Sequence, residues 1–301
     1  MIKIYDTQFK DVHAVAVETQ KVTALYLPEL GGKLASLIDN RTGRQYLEQN
    51  TGEKYQKLSY AGDYVNAECA AFDDMFPTID AFRCNQFPWQ GVEMPDHGEV
   101  CGLPWTYEIT ENELHMYTYG VRFPYRFEKW VGEENGNIAM RYKATNLSPF
   151  DFDFVYAAHC MVAGEEGLVV TTPFEKGAQC TYIFDNKLEL PYGRKCEWNG
   201  LTLPAKGDDH AYKYFFDDPA PEGWCKCEYR NGDFVKMVFC ADKLPWLGLW
   251  INTGEFKNMY NVAIECSSGT HDRPDVARMH GKFSVLPANG TYEWKLNFEV
   301  K

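Results

Sequence analysis

The stretch Tyr292-Glu293-Trp294-Lys295-Leu296-Asn297-Phe298-Glu299-Val300 alternates strictly between apolar and polar side chains. Successive side chains of a β-strand point to opposite faces, so this period of two predicts a strand with one buried face. Similar runs, each bounded by Gly, Pro, Asn or Asp, occur at residues 22–27, 114–119, 138–144, 152–162, 236–240 and 247–251. Because strand follows strand without helices between them, the sequence predicts an all-β fold.

Turn residues support antiparallel pairing of these strands. Asn-Gly pairs at Asn135-Gly136, Asn231-Gly232 and Asn289-Gly290 separate apolar runs, and Asn-Gly is the strongest short hairpin signal. Helical patterns are limited to residues 53–58 and 273–279, the second with Pro274 suited to a first helical turn. No Pro/Ser-rich linker or repeat divides the chain. We therefore expect residues 1–301 to form a single domain, one large antiparallel β-sandwich.

Composition restricts the possible partners. The 301 residues are 45% hydrophobic and 15% aromatic, which is enough for a sizeable core and disfavours disorder. The chain carries 30 basic and 43 acidic residues, a net charge of −13, and no basic cluster. Such a field repels nucleic acid and anionic membranes and is unfavourable for a polyanionic substrate. A neutral small molecule is therefore the expected partner.

Targeting and cysteine patterns suggest an intracellular location. The first residues lack a basic region followed by a long apolar stretch, and no run of about 18 apolar residues occurs. The 10 cysteines include no CxxC pair, and a chain of this length does not need a disulfide framework. We expect a cytoplasmic protein with reduced thiols, present as a monomer or homodimer.

Chemically versatile residues occur in three separate places. Residues 72–79, Phe-Asp-Asp-Met-Phe-Pro-Thr-Ile, precede Pro95-Asp96-His97-Gly98-Glu99-Val100, and together they are typical of a ligand-binding loop. Far along the chain, His159 and Glu265 close strand-like apolar runs. A titratable group at the end of a buried strand needs a partner, a ligand or solvent. These three regions therefore predict one shared cleft.

The order of motifs along the chain resembles that of the galactose mutarotase-like (aldose 1-epimerase) superfamily. The matching motifs are Leu30 to Asp39 with Thr42-Gly43-Arg44, Phe76-Pro77, Pro95 to Gly98, Arg122 to Glu128, Thr145-Asn146 ahead of His159, and Ala263-Ile264-Glu265 ahead of Pro274-Asp275. The resemblance implies a large twisted antiparallel β-sandwich with a sugar cleft on its concave face. It also implies exchange of the α and β anomers of an aldose without a cofactor.

The same resemblance implies roles for single residues. Glu265 matches the general base, His159 the general acid, and His97 a second histidine that contacts the ring oxygen of the sugar. Departures from the family pattern, Phe72-Asp73-Asp74 and His159-Cys160-Met161, leave the sugar open. An additional sugar-binding aspartate is also left open among Asp208, Asp209, Asp217 and Asp242.

Sugar sites commonly combine an aromatic face with carboxylates or other polar groups. On that basis the candidate substrate-binding residues are Asp73, Asp74, Arg83, Trp105 and Trp250. Anomer exchange itself needs one group to accept the proton of the C1 hydroxyl while another protonates the ring oxygen. A histidine with an ordinary pKa near ~6.5 can be charged in the resting enzyme, and a carboxylate can serve as the base.

Other interpretations remain open at the level of sequence. His97, His159 and Glu265 could instead bind zinc, although no short His-x-x-x-His spacing supports this. The fold is shared by hexose-phosphate 1-epimerases, which need basic residues around the phosphate, and by sugar-binding or sugar-sensing proteins without catalytic activity. The segment 271–280, with two histidines, is expected to be a solvated loop rather than a metal site or a phosphate clamp.

Overall fold

The computed structural model describes residues 2–301. The strands of the first half are β1 (Lys3–Phe9), β2 (Val12–Glu18), β3 (Val22–Leu27), β4 (Lys33–Asp39), β5 (Phe72–Met75), β6 (Phe82–Arg83), β7 (Glu93–Met94), β8 (Thr106–Ile109), β9 (Leu114–Tyr119), β10 (Tyr125–Glu134), β11 (Asn137–Asn146) and β12 (Phe152–Phe154). Those of the second half are β13 (Ala157–Ala163), β14 (Val169–Thr171), β15 (Gln179–Asp185), β16 (Lys195–Glu197), β17 (Leu201–Thr202), β18 (Ala211–Phe216), β19 (Trp224–Glu228), β20 (Phe234–Phe239), β21 (Trp246–Thr253), β22 (Tyr260–Ser267), β23 (Ser284–Leu286) and β24 (Thr291–Val300). A 3₁₀ turn covers Val100–Gly102, and the helix α1 covers Pro274–Met279.

Two large antiparallel sheets make up the fold. One has 11 strands in the order β1-β2-β3-β4-β5-β13-β22-β21-β18-β15-β16. The other has 9 strands in the order β17-β14-β19-β20-β24-β11-β10-β9-β8. Buried apolar side chains from both sheets form one continuous core between them. The predicted all-β sandwich is therefore confirmed.

The carboxyl-terminal strand shows why the alternation predicts this architecture. Along β24, Trp294, Leu296 and Phe298 are buried, whereas Glu293 and Glu299 are exposed. Burying a large apolar side chain contributes roughly 1.5–3 kcal/mol, so only one register of the strand is stable.

Two of the three Asn-Gly hairpin predictions are confirmed. Asn135-Gly136 joins β10 to β11, and Asn231-Gly232 joins β19 to β20. Asn289-Gly290 does not form a hairpin, because β23 pairs with β12 while β24 pairs with β11 and β20. There the long apolar face of β24 determines the pairing.

The helix prediction at 273–279 is confirmed by α1, but residues 53–58 form no helix. The run 152–162 is two strands rather than one. The break comes where Val155 N–H donates to Pro77 C=O (2.8 Å) and Tyr156 N–H donates to Ser268 Oγ (2.8 Å). Loop atoms thus replace a neighbouring strand as backbone partners. All ten cysteines are free, and none of the helices in residues 2–301 is long and apolar enough to cross a membrane.

Candidate active site

One face of the eleven-stranded sheet carries the candidate site. The register across four neighbouring strands places Lys213, Trp250, Ala263 and Met161 in one row. Directly opposed residues of antiparallel strands point to the same face, and so does every second residue along a strand. His159 lies two residues from Met161 on β13, and Glu265 lies two residues from Ala263 on β22. Both therefore belong to the next row on the same face.

Loops between the strands enclose this face and form a cavity of about 290 Å³. Its titratable lining residues come from the sheet and from four of these loops; they are Tyr64, Cys69, Asp80, His97, His159, Lys213, Glu265 and Asp272. The predicted convergence of the His97, His159 and Glu265 regions is thus present in the structure.

Backbone hydrogen bonds hold the loops of the site together. The carbonyl of Asp272 accepts bonds from the N–H groups of Ile79 and Asp80, both 2.9 Å. His97 N–H donates to the Ile79 carbonyl (2.5 Å). His97, His271 and Asp272 have φ angles of 60°, 62° and 61°. This left-handed conformation costs about 1–3 kcal/mol at a residue other than glycine and is often found at functional sites.

Glu265 lines the cavity and is fully buried. Its Oε2 accepts a hydrogen bond from Lys213 Nζ at 2.6 Å. Its Oε1 has no hydrogen-bond partner among residues 2–301. A buried carboxylate oxygen without a partner carries a desolvation cost of about 1–3 kcal/mol or more, so it is poised to interact with a ligand.

Lys213 joins two carboxylates, since its Nζ also lies 2.8 Å from Asp272 Oδ1. Burial opposes the charge of Lys213, but Asp272 and Glu265 outweigh it and raise the pKa of the ammonium group. Burial, reinforced by Glu265, raises the pKa of Asp272 against the opposing effect of Lys213. Burial and the nearby Asp272 raise the pKa of Asp80 to about 6. The cavity therefore combines a permanent cation with several proton-accepting carboxyl groups.

The two histidines differ in their surroundings. His97 stacks on Tyr64 with ring centroids 3.8 Å apart, and its Nδ1 lies 2.7 Å from Asp96 Oδ2. The ring of His159 stands edge-on to both, with centroids 5.9 Å from Tyr64 and 5.8 Å from His97. Burial, together with the charges of His97 and Lys213, lowers the pKa of His159 well below its ordinary value. His159 is therefore a neutral imidazole at pH 7, contrary to the expectation of a charged resting histidine.

Trp250 is the one sugar-binding candidate from the sequence that lines this cavity within residues 2–301. Asp73 pairs with Lys33 and accepts a bond from the Tyr64 hydroxyl (2.8 Å), so it lies behind Tyr64. Asp74, on the opposite face of β5, pairs with Lys129 at 2.8 Å in the core between the sheets. Both aspartates belong to a buried strand rather than to a loop, and each forms an ion pair with a buried lysine.

Two further candidates also lie away from the cavity. Trp105 is 2% exposed, packs beside Gly32 and donates from Nε1 to the Val100 carbonyl (2.9 Å), which makes it a core residue. Arg83 is exposed on the short strand β6. Neither position offers a contact to a molecule held between His97, His159 and Glu265.

Sequence reasoning missed four residues of the site: Tyr64, Asp80, Lys213 and Asp272. A signal existed for Lys213, which interrupts the apolar run 211–216. The interpretation of residues 271–280 as a solvated loop is wrong for His271 and Asp272, which are 6% and 4% exposed. Asp80 and Asp272 line the cavity, whereas the four aspartates left open by the sequence do not.

Within residues 2–301 no group of three or more His, Cys, Asp or Glu side chains could hold a metal ion.

Solved structures resemble this arrangement of sheets along the whole chain. A galactose mutarotase-like protein from Clostridium acetobutylicum has a TM-score of 0.73 at 14% identity, covering 100% of this chain and 98% of that one. The chain has the galactose mutarotase-like fold. A galactose mutarotase-like protein from Lactobacillus casei gives a TM-score of 0.70 at 16% identity, with 96% and 100% of the two chains covered. A protein from Escherichia coli K12, provisionally assigned as an aldose 1-epimerase, gives 0.66 at 15% identity, with 100% and 99% covered.

At these identities the likeness establishes the fold alone. No family model matches the sequence, and no curated protein matches it. The evidence for function therefore lies in the residues that line the cavity.

Proposed function

We propose that the protein is an aldose 1-epimerase-like enzyme that interconverts the α and β anomers of a neutral aldose. The observation that carries this proposal is the buried Glu265 Oε1, which has no partner in residues 2–301 and shares the cavity with His97 and His159. One unoccupied carboxylate oxygen and a nearby imidazole are the base and the acid that anomer exchange needs. A cytoplasmic location and a role in carbohydrate metabolism are part of the same proposal.

In the proposed reaction Glu265 Oε1 accepts the proton of the C1 hydroxyl. The electron pair of that O–H bond forms the C1 carbonyl, the bond from C1 to the ring oxygen breaks, and the ring oxygen takes a proton from an imidazolium. Rotation about C1–C2 and reversal of the same steps close the ring on the other face. Each positioned proton transfer typically contributes about 10²–10⁴ in rate.

The structure favours His97 as the proton donor. Asp96 lies 2.7 Å from His97 Nδ1, so it holds the ring through that nitrogen and leaves Nε2 for the substrate. His159, which is held neutral by burial, then orients the sugar as a hydrogen-bond partner. This assignment exchanges the roles that the sequence resemblance implies for the two histidines.

The charge of the cavity supports a neutral sugar over a sugar phosphate. Among the lining residues that the structure describes, Lys213 is the one lysine or arginine. Both Glu265 and Asp272 already neutralise it, at 2.6 and 2.8 Å. A phosphate would have to compete with two carboxylates for this ammonium group, which disfavours a hexose-phosphate 1-epimerase.

The test is anomer exchange, followed by saturation-transfer NMR on a panel of neutral aldoses and hexose phosphates. We expect the native protein to accelerate exchange of at least one neutral aldose. Glu265→Gln should reduce the rate by about 10²–10⁴ while the fold is retained, because Lys213 keeps its pairing with Asp272. Glu175→Gln, at an exposed position, is the matched control and should leave the rate unchanged.

A sugar-binding protein without catalytic activity is the second candidate. It is favoured by the hydrogen bond from Lys213 Nζ to Glu265 Oε2 (2.6 Å), because a carboxylate that is already paired is a weaker base. It predicts binding of a sugar without faster exchange. Acceleration that survives in Glu265→Gln would contradict the proposed mechanism. Binding without acceleration in the native protein would replace the enzyme with the sugar-binding protein.

A further inference from the structure

The cavity is divided along the strand direction into a polar end and an apolar end. Glu265 and His159 lie in one row of the sheet, and Trp250 and Met161 lie in the next. Two residues along a strand span about 7 Å, which is comparable to the length of a pyranose ring. A sugar whose C1 is held at Glu265 therefore extends its far end over the second row.

The far end of the cavity is lined almost entirely by apolar side chains; these are Met161, Ile183, Phe184, Trp250, Phe256 and Met259. Three of the rings form a triangular cluster: Phe184 and Trp250 have centroids 5.6 Å apart, Trp250 and Phe256 5.4 Å, and Phe184 and Phe256 6.0 Å. Rings in such contact make a compact apolar surface.

Two polar side chains near this end, Lys213 and Asn252, already bond to other groups of the protein. Lys213 starts in the same row as Trp250, yet its Nζ reaches back to Glu265 and Asp272 at the polar end. The Asn252 amide donates to the Phe256 carbonyl (3.0 Å) and accepts from the N–H groups of Gly254 and Phe256. Lys213 is thus directed to the polar end, and both acceptor positions of the Asn252 oxygen are used by backbone donors.

Trp250 Nε1 is buried and has no partner in residues 2–301. It is a donor only, so it could bond to a hydroxyl oxygen but could not accept the hydrogen of that hydroxyl. A hydroxyl placed here could accept from Nε1 but would leave its own hydrogen without an acceptor, so the bond gained is offset by a cost of about 1–3 kcal/mol. The far end therefore gives the C6 hydroxyl of an ordinary hexose no net advantage, whereas its apolar lining favours a methyl group at this position.

We infer that the substrate is an aldose whose end distal to C1 is apolar, a 6-deoxyhexose being the simplest member of this class. The inference rests on the proposed function for the position of C1 at Glu265. It deepens that function by naming the substrate class. The polar row binds the reacting end of the sugar, and the aromatic cluster binds the methyl end.

The test compares matched sugars that differ only at C6: galactose, glucose and mannose, each with its 6-deoxy and 6-phosphate counterpart. Exchange by saturation-transfer NMR and affinity by ligand-observed NMR are both measured for every sugar. We expect the 6-deoxy member of at least one set to exceed its hexose by roughly tenfold in kcat/KM and in affinity, with the phosphate weakest.

Two substitutions at the apolar end test the cause of the preference. Met259→Gln keeps the length of the side chain but adds an amide, and it should reduce the 6-deoxy preference to about threefold or less. Met259→Leu stays apolar and should keep it. Phe184→Tyr adds one hydroxyl to a partly exposed ring and gives a second test if the first variant does not fold.

The outcomes separate this inference from the proposed function. Exchange that is as fast on hexoses as on their 6-deoxy counterparts overturns the inference and leaves the epimerase standing. Tighter binding of a 6-deoxyhexose without any exchange supports the inference and overturns the epimerase. Neither binding nor exchange of any sugar in the panel overturns both.

Discussion

Two buried lysine–carboxylate clusters in this molecule use the same chemistry for different ends. In the core between the sheets, Lys129 Nζ donates to Asp74 Oδ2 (2.8 Å) and to the Gly32 carbonyl (2.6 Å). The Tyr156 hydroxyl donates to the other oxygen, Asp74 Oδ1, at 2.7 Å. Every carboxylate oxygen of this cluster has a partner, and the cluster joins the two sheets.

In the cavity, Lys213 likewise bonds to Glu265 and Asp272, but Glu265 Oε1 is left without a partner in residues 2–301. A buried polar network in which every group has a hydrogen-bond partner stabilises a fold. A network with an unpartnered group can still bind a ligand. The difference between the two lysines is therefore a difference between structure and function.

The largest expected effect is a difference in the free energy of unfolding between variants of the two clusters. Lys129→Met leaves the Asp74 charge buried without a counter-charge and should lower the free energy of unfolding by about 3–5 kcal/mol. Lys213→Met should cost clearly less, because its carboxylates border a cavity that can admit water. Urea denaturation at pH 7 measures both.

The matched control is the double variant Lys129→Met with Asp74→Asn, which removes both charges. It should recover part of the lost stability, because the remaining groups are neutral. Equal losses for the Lys129 and Lys213 single variants would contradict the distinction between the two clusters.

Lys213→Met should instead change the pH dependence of anomer exchange. Without the ammonium group at 2.8 Å, Asp272 loses the charge that opposes the effect of burial on its pKa, so the Asp272 carboxyl keeps its proton up to a higher pH. An opposite charge at this distance typically shifts a carboxyl pKa by about 1–3 units. We therefore expect the acidic limb of the rate profile to move to higher pH, as measured by saturation-transfer NMR between pH 4 and 9.

Lys213→Arg keeps the charge and is the control for this shift. Its profile should lie closer to that of the native protein than the Met profile does. An acidic limb at the same pH in all three proteins would show that Lys213 does not tune the Asp272 carboxyl.

Some features of the fold and of the site can be predicted from local patterns of the sequence. The alternation of Trp294, Leu296 and Phe298 predicts the sandwich, because burial of one face of a strand is a local property of the sequence. The order of motifs predicts the meeting of His97, His159 and Glu265, but the prediction that His159 and Glu265 close their strands is wrong, since they lie inside β13 (Ala157–Ala163) and β22 (Tyr260–Ser267). Those signals concern single segments, and the fold brings the segments together.

Local sequence patterns do not predict which side chains pair with the acidic residues. Asp73 and Asp74 are adjacent in sequence, but their side chains point to opposite faces of β5, one toward Lys33 and the other toward Lys129. Lys33 and Lys129 lie on other strands, so the pairing depends on register across the sheets. Asp272 was missed for a similar reason, since a left-handed turn buries a segment that looks polar and exposed.

The dependence of stability on pH should sharpen the contrast within the cavity. The pKa of His159 is near ~6.5 in the unfolded chain and lower in the fold, so the unfolded chain binds more protons below that pH. The contribution of His159 is complete above pH ~6.5 and is lost as pH falls toward the folded pKa. The free energy of unfolding of the native protein should therefore fall more steeply between pH 7 and 5 than that of His159→Asn.

Carboxyl groups with raised pKa values, such as Asp80 at about 6, act in the opposite direction in this range. For this reason the measurement is the difference between native and variant curves and not the native curve alone. Parallel curves for the two proteins would contradict a neutral buried His159.

The smallest expected effect concerns the connection from Asp73 to the site. Tyr64→Phe removes the hydroxyl that donates to Asp73 at 2.8 Å but keeps the ring that stacks on His97 at 3.8 Å. The hydroxyl also lies 3.1 Å from the Cys69 carbonyl and 3.5 Å from His159 Nδ1. Asp73 retains Lys33 and the other two contacts are longer, so the loss should be about 1 kcal/mol and kcat/KM should fall by no more than about fivefold. Tyr64→Leu also removes the stacking and should cost more, because His97 then loses the surface that fixes its ring. Equal losses in the two variants would mean that the hydroxyl, and not the ring, positions His97, and Asp73 would then become part of the catalytic support.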